Sequence, residues 1–329
     1  MKVESLDRWH VFDEASWNGL LDRSASPVVF LTWQWQTNWW NAFGRGRRLR
    51  LLKVTDGGGQ LVGLLPLYAE PDADSPLRMV GGVDISDYLD LVAVRGREEE
   101  VWTALLQHRA AEHDVWDLHC LRAATPSVAL LSALAPPFGL SVKVELEERC
   151  PALALPATWE AYLDRLSGKD RHELRRKLRR LWRELPGATV RSSADPAELA
   201  EAMSAFFALH RRSKVGKARF MDPPMEAFFR AVAADLARAG WLRLWFLDFP
   251  GDPLAACLCL EYRGSVLLYN SGFDPERGAL SPGIVLLAHV VKDAIERGLS
   301  RFDFLRGEEP YKYAFGAAPE ELFNVVVSP

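Results

Sequence analysis

The chain has 329 residues, with 40 Lys and Arg against 44 Asp and Glu, so its formal net charge is −4. Hydrophobic residues make up 49% of the chain, which is enough to bury a core and excludes an intrinsically disordered protein. Four cysteines in a chain of this length exclude a small disulfide scaffold, and the near-balanced charge disfavours a globally basic nucleic-acid binder. At about 150 residues per domain, the length predicts two domains.

The sequence shows no export signal and no membrane-spanning segment. It begins MKVESLDRWHVFDE, without the apolar core and small-residue cleavage site of a secretory signal. No apolar run reaches the roughly 20 residues that a bilayer-crossing helix needs. Cys257 and Cys259 alternate within an apolar run, which is typical of small core residues, and no Cys or His spacing indicates zinc. We therefore expect a cytoplasmic protein without a structural metal.

The first half of the chain alternates predicted strands and helices. Residues 49–54 and 60–69 read as a hairpin around an Asp-Gly-Gly-Gly turn, and residues 77–82 and 87–94 read as a second hairpin. A helix over 98–113, a strand over 115–122 and a helix ending at the prolines 136 and 137 follow. The pattern begins again after Pro151, where we place a domain boundary.

One strongly basic block stands out in this nearly neutral chain. Residues 165–183 contain nine Lys and Arg but two acids. An apolar stripe of helical period runs through the block, and Ser167 with Asp170 resembles a capping box. The stripe consists of Leu174, Leu178, Leu181, Trp182 and Leu185. The basic residues therefore cover the other faces of one amphipathic helix, and three interpretations stay open: a solvated surface, a clamp for phosphates, or a contact with tRNA.

The segment 265–316 carries the chemistry. A strand, a glycine-containing loop and a helix beginning at Ser281-Pro282-Gly283 occur in that order. Ser281 is expected to cap the helix, and Gly283 permits close approach of a ligand to its N-terminus, which is a site suited to a pyrophosphate. The next strand is followed by a run of polar side chains, which are costly to bury and useful in a cleft. These are Asp303, Arg306, Glu308, Glu309, Tyr311, Lys312 and Tyr313.

These motifs resemble those of the GNAT acyltransferases. The resemblance rests on YNSGFDPER (269–277), on the Ser-Pro-Gly helix start and on FDFLRGEEPYKY (302–313), and it extends to Leu209–Arg212, the basic block and Asp87–Asp90. Within the GNAT acyltransferases, the sequence most resembles the branch described as CelD-like, of cellulose-biosynthesis type. This branch is related to the Fem-type aminoacyl transferases. The loop 277–283 departs from the Arg/Gln-x-x-Gly-x-Gly/Ala pattern that is usual in GNAT enzymes.

The resemblance implies an α/β fold of tandem GNAT-like domains, with mixed, mostly antiparallel sheets flanked by helices. An N-terminal GNAT-like domain would span 1–152 and a C-terminal acyltransferase domain 153–329. Two central strands would separate to admit acyl-CoA, with acetyl-CoA as the expected donor. The implied cofactor-binding residues are Tyr269, Ser271, Arg277, Gly278, Ser281 and Gly283.

The implied reaction is acyl transfer to an amine by direct attack, which needs a base, a charge-stabilising donor and an acid. Glu308 is the expected base, Tyr311 or Tyr313 the expected acid, and Lys312 and Asp303 complete the expected catalytic set. If 310–313 is extended, alternation exposes one of the two tyrosines to the cleft. The acceptor would be a small-molecule or sugar-linked amine, contacted by His210, Asp87, Tyr88 and Arg306.

Two alternatives remain beside this interpretation. A Fem-like transferase would take its acyl group from aminoacyl-tRNA, as the altered loop allows. A GNAT-like module without catalysis would serve in binding or assembly. Salt-dependent tRNA binding without CoA binding would favour the first alternative, and neither kind of binding would favour the second.

Overall fold

The structure, a computed structural model, describes residues 1–72, 74–112, 114–213, 215–250 and 252–329. The strands are β1 (Lys2–Leu6), β2 (Arg48–Thr55), β3 (Leu61–Ala69), β4 (Leu77–Met79), β5 (Val92–Ala93), β6 (Trp116–Arg122), β7 (Ser141–Ala154), β8 (Thr189–Ser193), β9 (Leu242–Phe249), β10 (Asp252–Tyr262), β11 (Ser265–Phe273), β12 (Arg301–Asp303) and β13 (Ala318–Ser328).

The α-helices alternate with these strands along the chain. They are α1 (Glu14–Asp22), α2 (Trp33–Phe43), α3 (Glu98–Glu112), α4 (Ser127–Leu134), α5 (Trp159–Arg165), α6 (Gly168–Glu184), α7 (Leu199–Ser213), α8 (Val215–Phe220), α9 (Pro223–Arg238), α10 (Pro282–Glu296) and α11 (Pro310–Ala314). A 3-10 turn, Pro275–Leu280, joins β11 to α10.

The chain divides into two compact units. Unit 1 contains Met1–Arg149 together with Glu320–Pro329, and unit 2 contains Cys150–Pro319. The last ten residues therefore belong to unit 1, whereas the predicted division at 152/153 assigned them to the second domain. The reason is strand pairing, since Leu322–Val327 of β13 run antiparallel to β6 of unit 1. The sequence of β13 alone does not reveal which strand it joins.

Unit 1 is built on the strand order β1-β2-β3-β4-β6-β13. The predicted first hairpin is confirmed, because β2 and β3 pair antiparallel from Arg48–Ala69 to Thr55–Leu61. The predicted second hairpin is wrong. β4 pairs with β3 and β6, whereas β5 pairs separately with β3, so the segments 77–82 and 87–94 do not face each other as two strands.

Unit 2 is built on the strand order β7-β12-β11-β10-β9-β8. β9, β10 and β11 form an antiparallel meander, β8 pairs antiparallel with β9, and β11 with β12 form the parallel pair of this unit. Its core lies between this sheet and the helices α5, α6 and α10. The predicted class, a mixed α/β fold with mostly antiparallel strands flanked by helices, is confirmed.

The basic block forms the predicted amphipathic helix, α6. The Ser167 hydroxyl oxygen accepts a hydrogen bond from the Asp170 backbone N–H at 3.1 Å, which is the expected N-terminal cap. Leu174 and Leu181 are buried, and the Trp182 ring meets the His289 ring of α10 edge-on at 5.5 Å. The apolar stripe therefore anchors α6 to the core, and its arginines lie on the outer faces.

In the part of the chain that the structure describes, none of the helices combines the length and apolarity needed to cross a bilayer.

Candidate active site

The central feature of unit 2 is the divergence of β11 from β12. The two strands pair in parallel through Ser265–Leu267 and Arg301–Asp303. β12 ends at Asp303, but β11 continues to Phe273. Beyond Leu267, the backbone edge of β11 on this side therefore lacks β12 as a hydrogen-bonding partner. An opening of this kind accepts an extended ligand that carries amide groups of its own.

A β-bulge follows directly after this point. Leu258 of β10 pairs with Asn270, and the next residue, Cys259, pairs with Leu268, so Tyr269 is the extra residue of the bulge. The Tyr269 ring lies 5.3 Å from the Phe229 ring of α9. The bulge places Tyr269 and Asn270 on the same face of the strand, towards α7 and α9, where regular alternation would have separated them.

The side chain of Asn270 is held by His210 of α7. Nε2 of the fully buried His210 lies 2.9 Å from Oδ1 of Asn270, and the imidazole stacks on Phe206 at 5.6 Å. The backbone N–H of Ser271 donates to the same Oδ1 at 2.9 Å. Because a backbone N–H only donates, this atom is the carboxamide oxygen, and Nε2 of His210 carries a proton.

His210 therefore corrects one sequence-based expectation. It was expected to contact the acceptor amine, but no part of its side chain is exposed. A glycine allows this close packing, since a Cβ atom at Gly272 would lie 2.8 Å from the backbone N and Cα of His210. The spacing of α7 against β11 is thus set by the absence of a side chain at Gly272.

The N-terminus of α10 lies at the end of the turn that follows β11. Ser281 adopts left-handed backbone angles (φ 53°, ψ 48°), and its side chain makes no capping hydrogen bond, so the expected serine cap is wrong. Pro282 occupies the first helical position as predicted, and a Cβ atom at Gly283 would make an ordinary 3.7 Å contact with Phe273. The first-turn N–H groups of such a helix face outward and suit an anion.

The 3-10 turn supplies the neighbouring groups. Oδ1 of Asp274 accepts the backbone N–H of Glu276 at 3.1 Å and lies 3.3 Å from Nη2 of Arg212, which fixes the start of the turn. Arg277 is exposed, and Gly278 is half-buried with its carbonyl accepting the Ser281 N–H. Arg277 makes no ion pair within the described residues, so its charge is available beside the helix N-terminus.

Lys312 is the most constrained polar residue of the segment after β12. Only 3% of it is exposed, which excludes a surface lysine. Its ammonium group donates to the carbonyl oxygens of Arg306 at 2.6 Å, Gly307 at 3.0 Å and Leu305 at 3.3 Å. It also lies 2.9 Å from Oε2 of Glu309. Lys312 therefore holds the loop 305–309 in one conformation, which includes a left-handed Leu305 (φ 56°).

Asp303 is likewise structural in its contacts. It is 2% exposed, its Oδ2 lies 2.9 Å from Nη2 of Arg301, and its Oδ1 accepts the Leu305 N–H at 2.9 Å. The ion pair joins Asp303 to Arg301 of the same strand. Alternate residues of a strand share a face, which brings 301 and 303 together.

The remaining candidates lie on α11 and the loop before it. Residues 310–314 are helical, so the alternation argument for Tyr311 and Tyr313 does not apply. Glu308 is exposed and accepts a hydrogen bond from the Tyr313 hydroxyl at 2.8 Å, so burial does not desolvate it as expected. Tyr311 packs against the core, and burial, aided by the Glu309 carboxylate, raises the pKa of its hydroxyl.

Two predicted acceptor residues belong to unit 1. Tyr88 is 2% exposed, with its ring 5.2 Å from the Arg122 guanidinium and 6.0 Å from the Phe30 ring. It is therefore a core residue of unit 1, contrary to the expectation of a contact with the acceptor. Asp87 is half-buried. Next to them, burial raises the pKa of Asp90, which accepts a hydrogen bond from the Ser127 hydroxyl.

Sequence reasoning gave Asn270 no role, although it lies inside the motif that carried the resemblance. Its orientation depends on the bulge at Tyr269, and a single unpaired residue leaves no periodic signal in a nine-residue strand. Sequence reasoning also missed Arg301 as the partner of Asp303 and Glu309 as the partner of Lys312. Both contacts stabilise the loop after β12, and a loop has no periodic pattern from which they could be predicted. Among the described residues, no group of three or more His, Cys, Asp or Glu side chains is arranged to hold a metal ion.

Comparison with known families agrees with this geometry. Residues 168–313 match the sequence model of the family described as "Acetyltransferase (GNAT) domain", which covers the helices α6 to α11 and the diverging strands. This part of unit 2 is therefore similar in sequence to GNAT-type acetyltransferase domains. No curated protein matches the chain significantly in sequence.

Solved structures extend the likeness to nearly the whole chain. FemX is similar with a TM-score of 0.66 at 13% identity, covering 98% of this chain and 97% of its own. A conserved protein of unknown function from Bacteroides thetaiotaomicron has a TM-score of 0.64 at 13% identity and covers 100% of both chains. L-PGS from Bacillus licheniformis has a TM-score of 0.53 at 12% identity, over 96% of this chain and 91% of its own. At these identities the likeness establishes the fold.

Proposed function

We propose that this protein is an N-acyltransferase that moves an acyl group, acetyl in the simplest case, from acyl-CoA to an amine. The observation that carries the proposal is the divergence of β11 beyond Leu267, together with the α10 N-terminus that follows it. An extended amide-bearing chain fits beside the edge of β11 that no longer pairs with β12, and a pyrophosphate fits the helix N-terminus. Arg277, Gly278 and Gly283 are proposed to hold that pyrophosphate.

The reaction follows from direct attack of the amine. Its nitrogen bonds to the acyl carbon, the carbon–sulfur bond breaks, and one amine proton passes to a base. The sulfur leaves as a thiolate, takes a proton from the acid and departs as the thiol of coenzyme A. Glu308 is exposed and reachable by an incoming ammonium group, which suits the base. Tyr311 suits the acid, since the raised pKa keeps its hydroxyl protonated and that hydroxyl makes no hydrogen bond to the described residues. Lys312 and Asp303 then act as positioning residues.

The acceptor is proposed to be a small-molecule or sugar-linked amine, with Arg306 of unit 2 as a contact and the cytoplasm as location. The four cysteines are buried and form no disulfide with one another, which supports a reducing compartment. The CelD-like branch remains part of this proposal, on the strength of the motifs at 269–277 and 302–313. The alternative donor, aminoacyl-tRNA, is supported by the exposed basic face of α6 and by the altered loop 277–283.

Calorimetric titration with acetyl-CoA, coenzyme A and bulk tRNA tests the donor. Saturable heat with the CoA compounds, without tRNA binding, supports acyl-CoA. Salt-dependent tRNA binding without CoA binding supports the Fem-like alternative. A panel of amines is then screened for acetyl-CoA-dependent release of a thiol, and buried protein cysteines keep the background of that assay low.

A matched pair of glycine substitutions separates ligand binding from folding. Gly283→Asp places a carboxylate in the first turn of α10, where space is available and where the helix dipole favours it, so the fold is retained. The same charge repels a pyrophosphate, so we expect CoA affinity to fall at least about tenfold. Gly168→Asp makes the same change at the start of α6 and should leave CoA affinity unchanged. Equal affinity in both variants would contradict the proposed phosphate site.

A further inference from the structure

We propose that the carboxamide of Asn270 donates a hydrogen bond to the carbonyl oxygen of the acyl group, and that His210 is the positioning residue that fixes the orientation of this carboxamide. The inference rests on the proposed function and adds a residue that recognises the acyl group itself. It depends on the hydrogen bond between Asn270 and the buried His210. This contact lies beside the β11 bulge, beyond the point where β11 and β12 cease to pair.

The orientation of Asn270 is fixed by two donors. His210 Nε2 and the Ser271 N–H both lie 2.9 Å from Oδ1. Because the oxygen is occupied on both sides, the planar amide is fixed with its Nδ2 group turned away from His210. Nδ2 makes no hydrogen bond to any described residue, and the side chain is half-buried. The two N–H groups of Nδ2 are thus donors for which the described residues provide no acceptor.

The placement of these donors matches the reacting group. Asn270 lies three positions beyond Leu267, the last residue of β11 that pairs with β12. The extended arm of acyl-CoA, lying beside β11 where β12 has ended, would bring its acyl end to the bulge. Gly272, two residues after Asn270 on the same strand, adds no side chain beside the Asn270 carboxamide. A Cβ atom there would come too close to the His210 backbone.

The chemistry of an amide N–H₂ selects a carbonyl oxygen. As the amine nitrogen bonds to the acyl carbon and the carbon–sulfur bond breaks, negative charge grows on that oxygen. A donor whose orientation is already fixed by His210 stabilises this charge without reorganising. A carboxylate at the same position keeps both acceptor roles but offers no donor, so Asn270→Asp removes only the proposed contact, while adding a charge.

A cycle of protein variants and ligand analogues tests the contact. Acetyl-CoA and S-ethyl-CoA have the same length, but only acetyl-CoA carries the carbonyl oxygen. We expect wild-type protein to bind acetyl-CoA about fivefold to tenfold more tightly than S-ethyl-CoA, the factor that one neutral hydrogen bond gives. In Asn270→Ala and Asn270→Asp this preference should disappear, while the affinity for S-ethyl-CoA changes by less than about twofold.

His210 is tested by a second pair of variants. His210→Gln keeps a side-chain N–H within reach of Asn270, and His210→Leu removes it while filling similar volume. We expect the preference for acetyl-CoA to survive in His210→Gln and to be lost in His210→Leu. A purely structural role would instead weaken both ligands alike in both variants.

The outcomes distinguish the two levels of proposal. If wild-type protein binds neither CoA compound, the proposed function fails and this inference falls with it. If wild-type protein binds both compounds and Asn270→Ala keeps the preference for acetyl-CoA, the inference alone is overturned. Equal weakening of both ligands in Asn270→Ala and in Asn270→Asp also overturns it, because Asn270 would then shape the strand without contacting the acyl oxygen.

Discussion

The ammonium group of Lys312 lies 2.6 Å from the carbonyl oxygen of Arg306, six residues earlier in the chain. Two further carbonyl oxygens and the Glu309 carboxylate complete its surroundings. A lysine with this many acceptors has little freedom to move towards a ligand. Its contribution to the proposed reaction is therefore the shape of the loop that carries Glu308.

We expect Lys312→Met to destabilise the protein by about 2–3 kcal/mol, because three carbonyl groups and a carboxylate lose their donor. Lys143→Met is the matched control, since the Lys143 side chain is 67% exposed and its pair with Glu145 is a surface ion pair. Urea denaturation followed by circular dichroism measures both. Equal midpoints for Lys312→Met and Lys143→Met would contradict the assigned role.

Unit 1 holds an imidazole between two carboxylates. Nε2 of His119 lies 3.1 Å from Oδ1 of Asp117, and its Nδ1 lies 2.9 Å from Oε1 of Glu147. Hydrogen bonds to Asp117 and then to Glu147 raise the pKa of His119 to about 9. The hydrogen bond from His119, and then those from Asn324 and Arg78, lower the pKa of Asp117.

This cluster predicts a stability that falls in mild alkali. The folded-state pKa of His119 lies above its ordinary value of 6.5, so the contribution is complete below about pH 6.5 and is lost as pH rises through about 9. We expect about 1–2 kcal/mol, reduced from the full shift because 26% of the side chain is exposed. Denaturation midpoints of wild type and His119→Gln, measured from about pH 6 to 10, should converge at high pH. The exposed His10→Gln should retain the wild-type slope, and a flat wild-type profile would remove the assignment.

Gly272 predicts a steric effect on the site. A Cβ atom there would approach the His210 backbone to 2.8 Å, so Gly272→Ala must push α7 away from β11. We expect a loss of about 1–3 kcal/mol together with weaker binding of acetyl-CoA. At Gly168, where nothing lies within 4 Å, Gly168→Ala should be neutral or slightly stabilising. Thermal shift and calorimetry check both properties, and a Gly272→Ala protein with wild-type behaviour would show that this close approach is dispensable.

Substitutions on the two faces of α6 should differ strongly in their effect on stability. Arg175 and Arg179 are exposed and make no ion pair within the described residues. Replacing both by Ala should change stability by less than about 0.5 kcal/mol. Leu181 is fully buried, so Leu181→Ala should cost about 2–5 kcal/mol. Denaturation midpoints of the two variants give the comparison, and a strongly destabilised double arginine variant would mean that the basic face is structural.

Elements with a clear period were predictable from the sequence, and the site was predictable only in part. The stripe through Leu174 and Leu181 and the proline at 282 gave α6 and the start of α10, because helical spacing and backbone restriction are local properties. The bulge at Tyr269 and the carbonyl cage of Lys312 were not predictable. Both depend on contacts between residues brought together by tertiary packing, and neither changes the alternation of apolar residues.

The return of β13 to unit 1 sets the order in which the chain can complete its two units during synthesis. Unit 2 is continuous from Cys150 to Pro319, whereas β6 of unit 1 acquires its pairing with Leu322–Val327 only after those residues have been made. Unit 1 therefore cannot complete its sheet before unit 2 has been synthesised, although domains usually complete in order from the N-terminus. A fragment cut at residue 152 would lack β13 and expose the edge of β6, which would then offer unpaired backbone groups to other chains.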